Sequence, residues 1–227
     1  MPPTSLLTAA HTRYSSVPSQ SAEAYRRIKE KIITLEIEPA ALIDESRLSE
    51  ELGIGRTPIR EALLRLRQEN LIIILPRRGT IVADLNSRDL RKFFEIRLQL
   101  EPYGICLAVE RASSADIAKM EEWRERAATA IVAGDPHDLL MTDHAGHTLF
   151  GAATHNEFLH EMLDRVRFPI LRLSFWLAAQ DRLDMLPEKV EQLREIVMCI
   201  KARDADRAQQ LMHQHIATFE DELLAIL

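Results

Sequence analysis

The chain is poor in glycine, cysteine and aromatic residues, and it has no long apolar segment. Seven glycines and 5% aromatic residues among 227 residues disfavour an all-β fold and favour helices. No uninterrupted apolar run exceeds five residues, so no membrane span is predicted, and the N-terminus lacks the apolar stretch of a secretory signal. The two cysteines, Cys106 and Cys199, are far apart and predict no disulfide. We therefore expect a cytoplasmic protein without a membrane partner.

The net charge of −6 argues against a nucleic-acid-binding protein, but the charge is unevenly distributed. Between residues 56 and 78, six arginines outnumber two acidic residues, whereas the segment 86–227 is acidic. This imbalance predicts two domains with different partners. We expect a flexible arm at 1–20, a DNA-binding domain at 21–85 and an all-helical domain at 86–227.

Two short helices joined by a tight turn predict a helix-turn-helix motif within the first domain. Asp44 or Ser46 caps the first of these helices, and Gly53 suits its C-terminal turn. The second helix opens at Thr57-Pro58, where Thr57 is a candidate cap and proline fits the first turn. This second helix is the candidate recognition helix.

A β-hairpin is predicted directly after the recognition helix. The β-rich run 71–75 and the segment 80–82 flank a turn at 76–79, which is the arrangement of a wing. Arginine pairs with guanine in the major groove, and arginines on a wing suit phosphates or the minor groove of double-stranded DNA. An ordinary solvated surface is the alternative. The candidate DNA-binding residues are Arg56, Thr57, Pro58, Arg60, Arg77, Arg78 and Gly79.

Helical patterns without strands fill the second half of the chain. Short breaks between long helices predict an antiparallel bundle, with Trp123 and Trp176 in its core. The overall prediction is a mainly α protein with one small hairpin. The six helices are expected at roughly 87–112, 114–133, 137–154, 157–179, 187–203 and 205–226.

Asp143 and His147 are four residues apart, so they share one face of a helix and suit a divalent metal. His215 on the last helix is the third candidate ligand, and an ordinary ion pair between Asp143 and His147 is the alternative. Arg97 lies among apolar neighbours, so it needs either a bound anion or an acidic partner, for which Glu101 is available at i+4.

The segment 48–63, with its core Arg-Thr-Pro-Ile-Arg-Glu-Ala-Leu, together with 78–82, resembles the winged helix-turn-helix of the GntR family of bacterial transcription regulators. The resemblance implies that Arg56, Thr57, Pro58 and Arg60 line the recognition helix, and that Gly79 lets the wing approach the DNA backbone. Two positions depart from the family pattern. Gly55 stands where serine is usual, and Ser46 stands where many members have a basic residue.

The segment 86–227, beginning with Glu95-Ile96-Arg97, resembles the effector-binding domain of the FadR subfamily. We expect a homodimer, because one short recognition helix reads too few base pairs for genomic selectivity. The expected effector is a small carboxylate, held by Arg97 either directly or through a metal on Asp143, His147 and His215. The resemblance also implies a divalent metal of the zinc or nickel type. Leu193 stands where many members have a further histidine ligand, while Gln192 is expected to point in another direction.

Two other function classes compete with a regulator. A helical metalloenzyme would use Asp143, His147 and His215, but the repeated Glu-x-x-His motif of oxidative metal sites is missing. An RNA-binding protein would need stacking aromatic residues, which 56–82 lacks. A non-enzymatic regulator is therefore the prediction.

Overall fold

The computed structural model describes residues 19–76, 79–84 and 90–226, and these residues are mainly helical. The N-terminal part comprises three helices and three short strands. In chain order they are α1 (Gln20–Ile33), β1 (Leu42–Ile43), α2 (Glu45–Leu52), α3 (Arg56–Gln68), β2 (Ile72–Leu75) and β3 (Gly79–Val82). The predicted helix-turn-helix and hairpin are therefore confirmed.

Local capping groups set the geometry of the helix-turn-helix. The Asp44 side chain accepts hydrogen bonds from the backbone N–H groups of Ser46 and Arg47, which makes Asp44 the cap of α2. Gly53 ends α2 in the left-handed region, with φ of +65°. The predicted cap of α3 was wrong. Gly55 occupies the cap position without a side-chain hydrogen bond, and Thr57 lies within the first turn.

The sheet has three strands rather than two. Strands β1 and β2 both pair antiparallel with β3, which lies between them. Sequence patterns missed β1 because two residues are too few to show strand alternation. Gly79 begins β3 with φ of +96°, and a Cβ there would lie 3.2 Å from Leu42 Cδ1, so both the backbone and the available space favour glycine.

Six long helices follow. They are α4 (Leu90–Arg111), α5 (Ser114–Ala133), α6 (Pro136–Ala153), α7 (Glu157–Ala178), α8 (Leu186–Ala202) and α9 (Ala205–Ile226). Number and order match the prediction, and the ends differ by a few residues at most. None of the described helices is long and apolar enough to cross a membrane. Most of the predicted arm at 1–20, Arg77, Arg78 and the predicted boundary at 85/86 lie outside the described residues.

The apolar residues form two main cores. One lies between α1, α2, α3 and the sheet, and the other lies within the α4–α9 bundle. Trp123 is buried in the bundle, as predicted, and its indole N–H donates to the Thr142 carbonyl at 2.9 Å. The core prediction for Trp176 was wrong, because this residue is 38% exposed on α7.

The N-terminal part contacts the bundle through α7. Lys29 on α1 lies 3.6 Å from the ring centroid of Phe168, a cation–π contact. Arg172, one turn further along α7, donates from Nη2 to the Ala83 carbonyl at 2.6 Å, just after β3. Helix α7 therefore touches both the first helix and the end of the sheet.

Candidate DNA-binding surface and metal centre

Helix α3 packs its apolar face into the N-terminal core and leaves Arg56, Thr57 and Arg60 exposed, with Pro58 half-buried. Arg56 and Arg60 are one turn apart and share a face. Arg60 Nε lies 2.7 Å from Glu45 Oε2, yet the Arg60 side chain remains 65% exposed. Because exposed ion pairs contribute little stability, this guanidinium is available to a DNA base or phosphate.

The other end of α3 is held by side chains of α1. Arg65 stacks over the Tyr25 ring at 3.9 Å, and Glu69 accepts a hydrogen bond from Lys29 Nζ at 2.6 Å. The Tyr25 hydroxyl also donates to Glu69. These contacts fix the C-terminal end of α3, so the N-terminal end is the one free to enter a groove.

On the predicted wing, the described residues include Gly79 at the start of β3 but not Arg77 and Arg78. Leu75 pairs with Gly79 in the β2–β3 ladder, so only residues 76–78 separate the two paired strand ends in sequence. The two hairpin strands therefore lie at the predicted positions, within one residue at each end.

The three candidate metal ligands meet inside the bundle. Asp143 and His147 lie on α6 and His215 on α9, and their ligand atoms lie within 4.8 Å of one another. The Nε2 atoms of His147 and His215 are 3.1 Å apart. Asp143 Oδ2 lies 3.8 Å from His147 Nε2, and Asp143 Oδ1 lies 3.8 Å from His215 Nε2. Both histidines are 2% exposed. The fold therefore brings together one carboxylate and two imidazoles from distant parts of the chain.

Neighbouring acceptors orient both rings. Glu101 Oε2 lies 2.6 Å from His147 Nδ1, and Gln192 Oε1 lies 3.1 Å from His215 Nδ1. An oxygen close to Nδ1 favours the tautomer with hydrogen there, and in that tautomer Nε2 carries a lone pair. The expectation that Gln192 points elsewhere was wrong.

Two nitrogen lone pairs 3.1 Å apart repel each other, and either a proton shared between the rings or a metal ion bound by both removes this repulsion. Burial holds the pKa of His215 well below its usual value, which disfavours a second proton on this ring. Asp143 Oδ1 is buried and has no hydrogen-bond partner among the described residues. Burial also raises the pKa of Asp143. The donor set fits a divalent transition metal, and the outer acceptors resemble the second shell of such sites.

Arg97 forms a buried ion pair with Glu101, the internal partner that the spacing made available. Burial alone would raise the pKa of Glu101, but the charge of Arg97 and the contact with His147 outweigh it and hold this pKa well below its usual range. Glu101 therefore stays ionised and links Arg97 to His147. Arg97 also faces the cavity beside the metal ligands.

The cavity at the metal ligands has a volume of about 30 Å³ and is lined by Arg97, Arg167 and Lys189 as well as by the three ligands. This volume holds about two water molecules, so a larger ligand requires side chains to move. Three cationic side chains around a closed space favour an anion.

Sequence reasoning missed Glu101 as the group that orients His147, and it missed Lys189 altogether. Lys189 is 1% exposed and donates from Nζ to Thr218 Oγ1 at 2.6 Å, with Glu222 Oε2 at 3.1 Å. Lys189 shares the apolar face of α8 with Leu193, and this position in the sequence could have indicated that the lysine is buried. Leu193 itself is fully buried.

Comparisons with known proteins agree with both halves of this structure. The profile described as "Bacterial regulatory proteins, gntR family" matches residues 20–82, and the FCD domain profile matches residues 92–218. The transcriptional repressor GlaR of Escherichia coli is 27% identical over 211 residues, covering 87% of this chain and 93% of GlaR. The Nta operon transcriptional regulator of Aminobacter aminovorans is 28% identical over 199 residues, covering 86% of this chain and 90% of that protein.

Solved structures show the same fold. The McbR/YncC structure from Escherichia coli superposes with a TM-score of 0.81 at 23% identity, covering 91% of this chain and 98% of that one. A GntR structure from Rhodococcus gives a TM-score of 0.73 at 19% identity, with the same coverage of both chains. The similar proteins are regulators, and a metalloenzyme is not favoured. The chain belongs to the GntR family of bacterial transcription regulators, with a winged helix-turn-helix followed by an FCD domain.

Proposed function

We propose that this regulator binds double-stranded operator DNA as a homodimer, and that a small carboxylate effector in the bundle changes that binding. The observation that carries the effector site is the pair of buried Nε2 atoms 3.1 Å apart beside Asp143 Oδ1, which has no hydrogen-bond partner among the described residues. We place the division between the two functions at the predicted boundary, with DNA binding in 21–85 and effector binding in 86–227.

Operator contact is assigned to the exposed start of α3 and to the wing. Arg56 and Arg60 reach base edges, while Thr57 and Pro58 hold the first turn against the DNA backbone. Gly79 allows close approach of the hairpin. Arg77 and Arg78 are assigned to phosphates or to the minor groove on the basis of the sequence.

Asp143, His147 and His215 are assigned as ligands of a divalent metal of the zinc or nickel type. When bound, such an ion supplies a positive charge that an effector carboxylate can join. Glu101 and Gln192 hold the two imidazoles with their Nε2 atoms facing inward. Leu193 offers no ligand atom, so the protein supplies three groups, and further positions are left to water or to the effector.

Arg97 is assigned to the effector carboxylate. A carboxylate without its hydration shell needs compensating charge, which Arg97 and Lys189 provide at the cavity wall. Arg97 is already paired with Glu101, so the effector carboxylate is a second anionic partner of this guanidinium. Effector binding would therefore alter contacts that reach His147.

An apolar surface on α4 and α7 supports the dimer. Ile96 and Tyr103 on α4 are 42% and 53% exposed, and Phe158 and Met162 on α7 are 79% and 53% exposed. A small buried cluster of Leu107, Leu159 and Leu163, against which Leu100 packs, joins the same two helices. We call the four exposed residues the α4–α7 surface and assign it to the second copy, because exposed apolar residues on neighbouring helices mark interaction sites. Two copies present two recognition helices to paired half-sites.

The test is sequence-resolved binding of the full chain to fragments from its own genome neighbourhood, at fixed salt. The proposal predicts one preferred fragment with paired half-sites, bound by a dimer, and an affinity that changes when small carboxylates are added to the metal-loaded protein. Equal binding to every duplex would overturn operator recognition. An affinity unchanged by every carboxylate would overturn the assigned effector class.

A further inference from the structure

A second cavity lies between the N-terminal part and the bundle. Its volume is about 330 Å³, which is within the size range of small-molecule sites. The end of α3 forms one wall, and the start of α4 and one face of α7 form the others. Helix α7 separates it from the first cavity, since Val166, Pro169 and Leu173 face the second cavity while Arg167 and Ser174 face the first.

Arg172 is the buried charge of this second cavity. Its side chain is 3% exposed, and its Nη2 donates to the Ala83 carbonyl. Its Nε has no hydrogen-bond partner among the described residues. Burial lowers the pKa of Arg172 to about 10, and the nearby charge of Asp84 offsets this only in part. The guanidinium is therefore short of acceptors in a space large enough for a ligand.

The neighbouring carboxylates do not supply the missing acceptor. Glu69 lines the cavity but is bound by Lys29 and Tyr25. Asp84 is exposed and does not hydrogen-bond to Arg172 Nε. The remaining wall has an apolar side that includes Leu90, Phe93 and Leu173, and a polar side formed by Gln68, Asn70 and Arg165. The cavity thus combines a buried cation that lacks one hydrogen-bond acceptor with an apolar surface.

We propose that this second cavity binds a small monocarboxylate with an apolar body. The carboxylate pairs with the Arg172 guanidinium at the cavity wall, and the apolar body packs against Phe93 and Leu173. Such a ligand touches the end of α3 and the face of α7 together, so it joins the two parts of the chain. The site is independent of the metal ligands and of the effector cavity proposed above.

The experiment uses 4-fluorophenylacetate as the probe and follows its ¹⁹F NMR signal with the full chain in the absence of DNA. Its neutral amide, 4-fluorophenylacetamide, is the control ligand. Arg172→Gln removes the charge, Val166→Phe fills the cavity without touching Arg172, and Asp143→Asn alters only the other cavity. A melting curve for each variant shows whether it is folded.

The acid is expected to bind the wild-type chain more tightly than the amide does. Losing a hydrogen bond to a charged group corresponds to roughly tenfold to hundredfold weaker binding, which is expected for Arg172→Gln. Val166→Phe is expected to abolish binding, and Asp143→Asn to leave it unchanged. Equal binding of acid and amide, no binding of the acid, retention in both cavity variants, or loss in Asp143→Asn would each overturn the proposal. Because no DNA is present, these outcomes are separate from those of the operator test.

Discussion

The two parts of the chain place their charged side chains in opposite ways. In the N-terminal part, arginines such as Arg56 and Arg60 lie on the surface. In the bundle, Arg97, Glu101 and Lys189 are at most 4% exposed. All the buried polar and charged residues of the described chain belong to the bundle, and Thr154 and Ser174 are among them. The N-terminal part therefore has cationic side chains on its surface, where DNA can contact them. The bundle has charged side chains around a small internal cavity.

This difference has an energetic consequence. An exposed charge keeps most of its hydration, so its partner matters little to folding. A buried charge that loses its partner stays dehydrated, which costs several kcal/mol. Charge removal in the bundle should therefore affect stability, whereas charge removal on α3 should affect DNA binding alone.

The largest effect is expected for Glu101→Ala. It leaves Arg97 buried without its carboxylate and His147 without its acceptor, and breaking a buried pair costs about 3–5 kcal/mol. Urea denaturation measures the free energy of unfolding. Glu30→Ala is the matched control, because it removes an exposed i,i+4 partner of Arg26 and should have little effect. An equal loss of unfolding free energy in Glu101→Ala and Glu30→Ala would contradict the proposed difference between buried and exposed charges.

Arg60→Ala should leave stability nearly unchanged and weaken operator binding by about 1–3 kcal/mol, with less preference at one base pair. Fluorescence anisotropy with the operator and with random duplex, at one salt concentration, measures both affinities. Arg26→Ala, on the exposed side of α1, is the control. An equal loss for operator and random DNA would make Arg60 a phosphate contact instead.

Phe158→Glu should separate the copies without unfolding the chain, because this side chain is 79% exposed. Placing a charge within an apolar interface should raise the dimer dissociation constant roughly tenfold or more. Analytical ultracentrifugation across a concentration series measures it. Val132→Glu is a control of similar exposure on α5. A dissociation constant unaffected by Phe158→Glu would place the dimer contact elsewhere.

The smallest effect concerns a half-buried charge at the start of a bundle helix. The Ser113 hydroxyl and backbone N–H, together with His155, hold the pKa of Asp116 below its usual value in the capping box of α5. Since the folded pKa is the lower one, the carboxylate stabilises the fold above the unfolded pKa of about 4, and this contribution is lost as pH falls through the folded pKa.

Asp116→Ala should therefore cost about 1 kcal/mol near pH 7. The difference from wild type should shrink below about pH 4. Unfolding free energies measured from pH 7 to pH 3 test this. A gap between variant and wild type that widens on acidification would contradict the assigned sign.

The sequence predicted those helices and turns that are marked by residues within a few positions of their ends. Gly53 and Pro58 indicated the turn and the start of the recognition helix, and the helix breaks gave six bundle helices. The spacing of Asp143 and His147 placed both on one helix face. By contrast, β1 has two residues and pairs with a strand nearly forty positions away, so no periodic pattern reveals it.

The groups that orient the candidate metal ligands were not predictable from local patterns. Glu101 lies on α4 and Gln192 on α8, and their contacts with His147 and His215 depend on how these helices pack against α6 and α9. Helical periodicity shows on which face of its own helix a residue lies, but it does not show which residue of another helix packs against it. For the same reason, Trp176 was expected in the core although it lies on an exposed face of α7.

Metal analysis of protein purified without chelator decides whether Asp143, His147 and His215 bind an ion. We expect one divalent ion per wild-type chain, loss of this ion in both His147→Ala and His215→Ala, and about 10- to 100-fold lower affinity for it in Glu101→Gln. His213→Ala, two residues from His215 and exposed, should keep the ion. Absence of metal from every sample, or equal metal content in wild type and both histidine variants, would contradict this expectation.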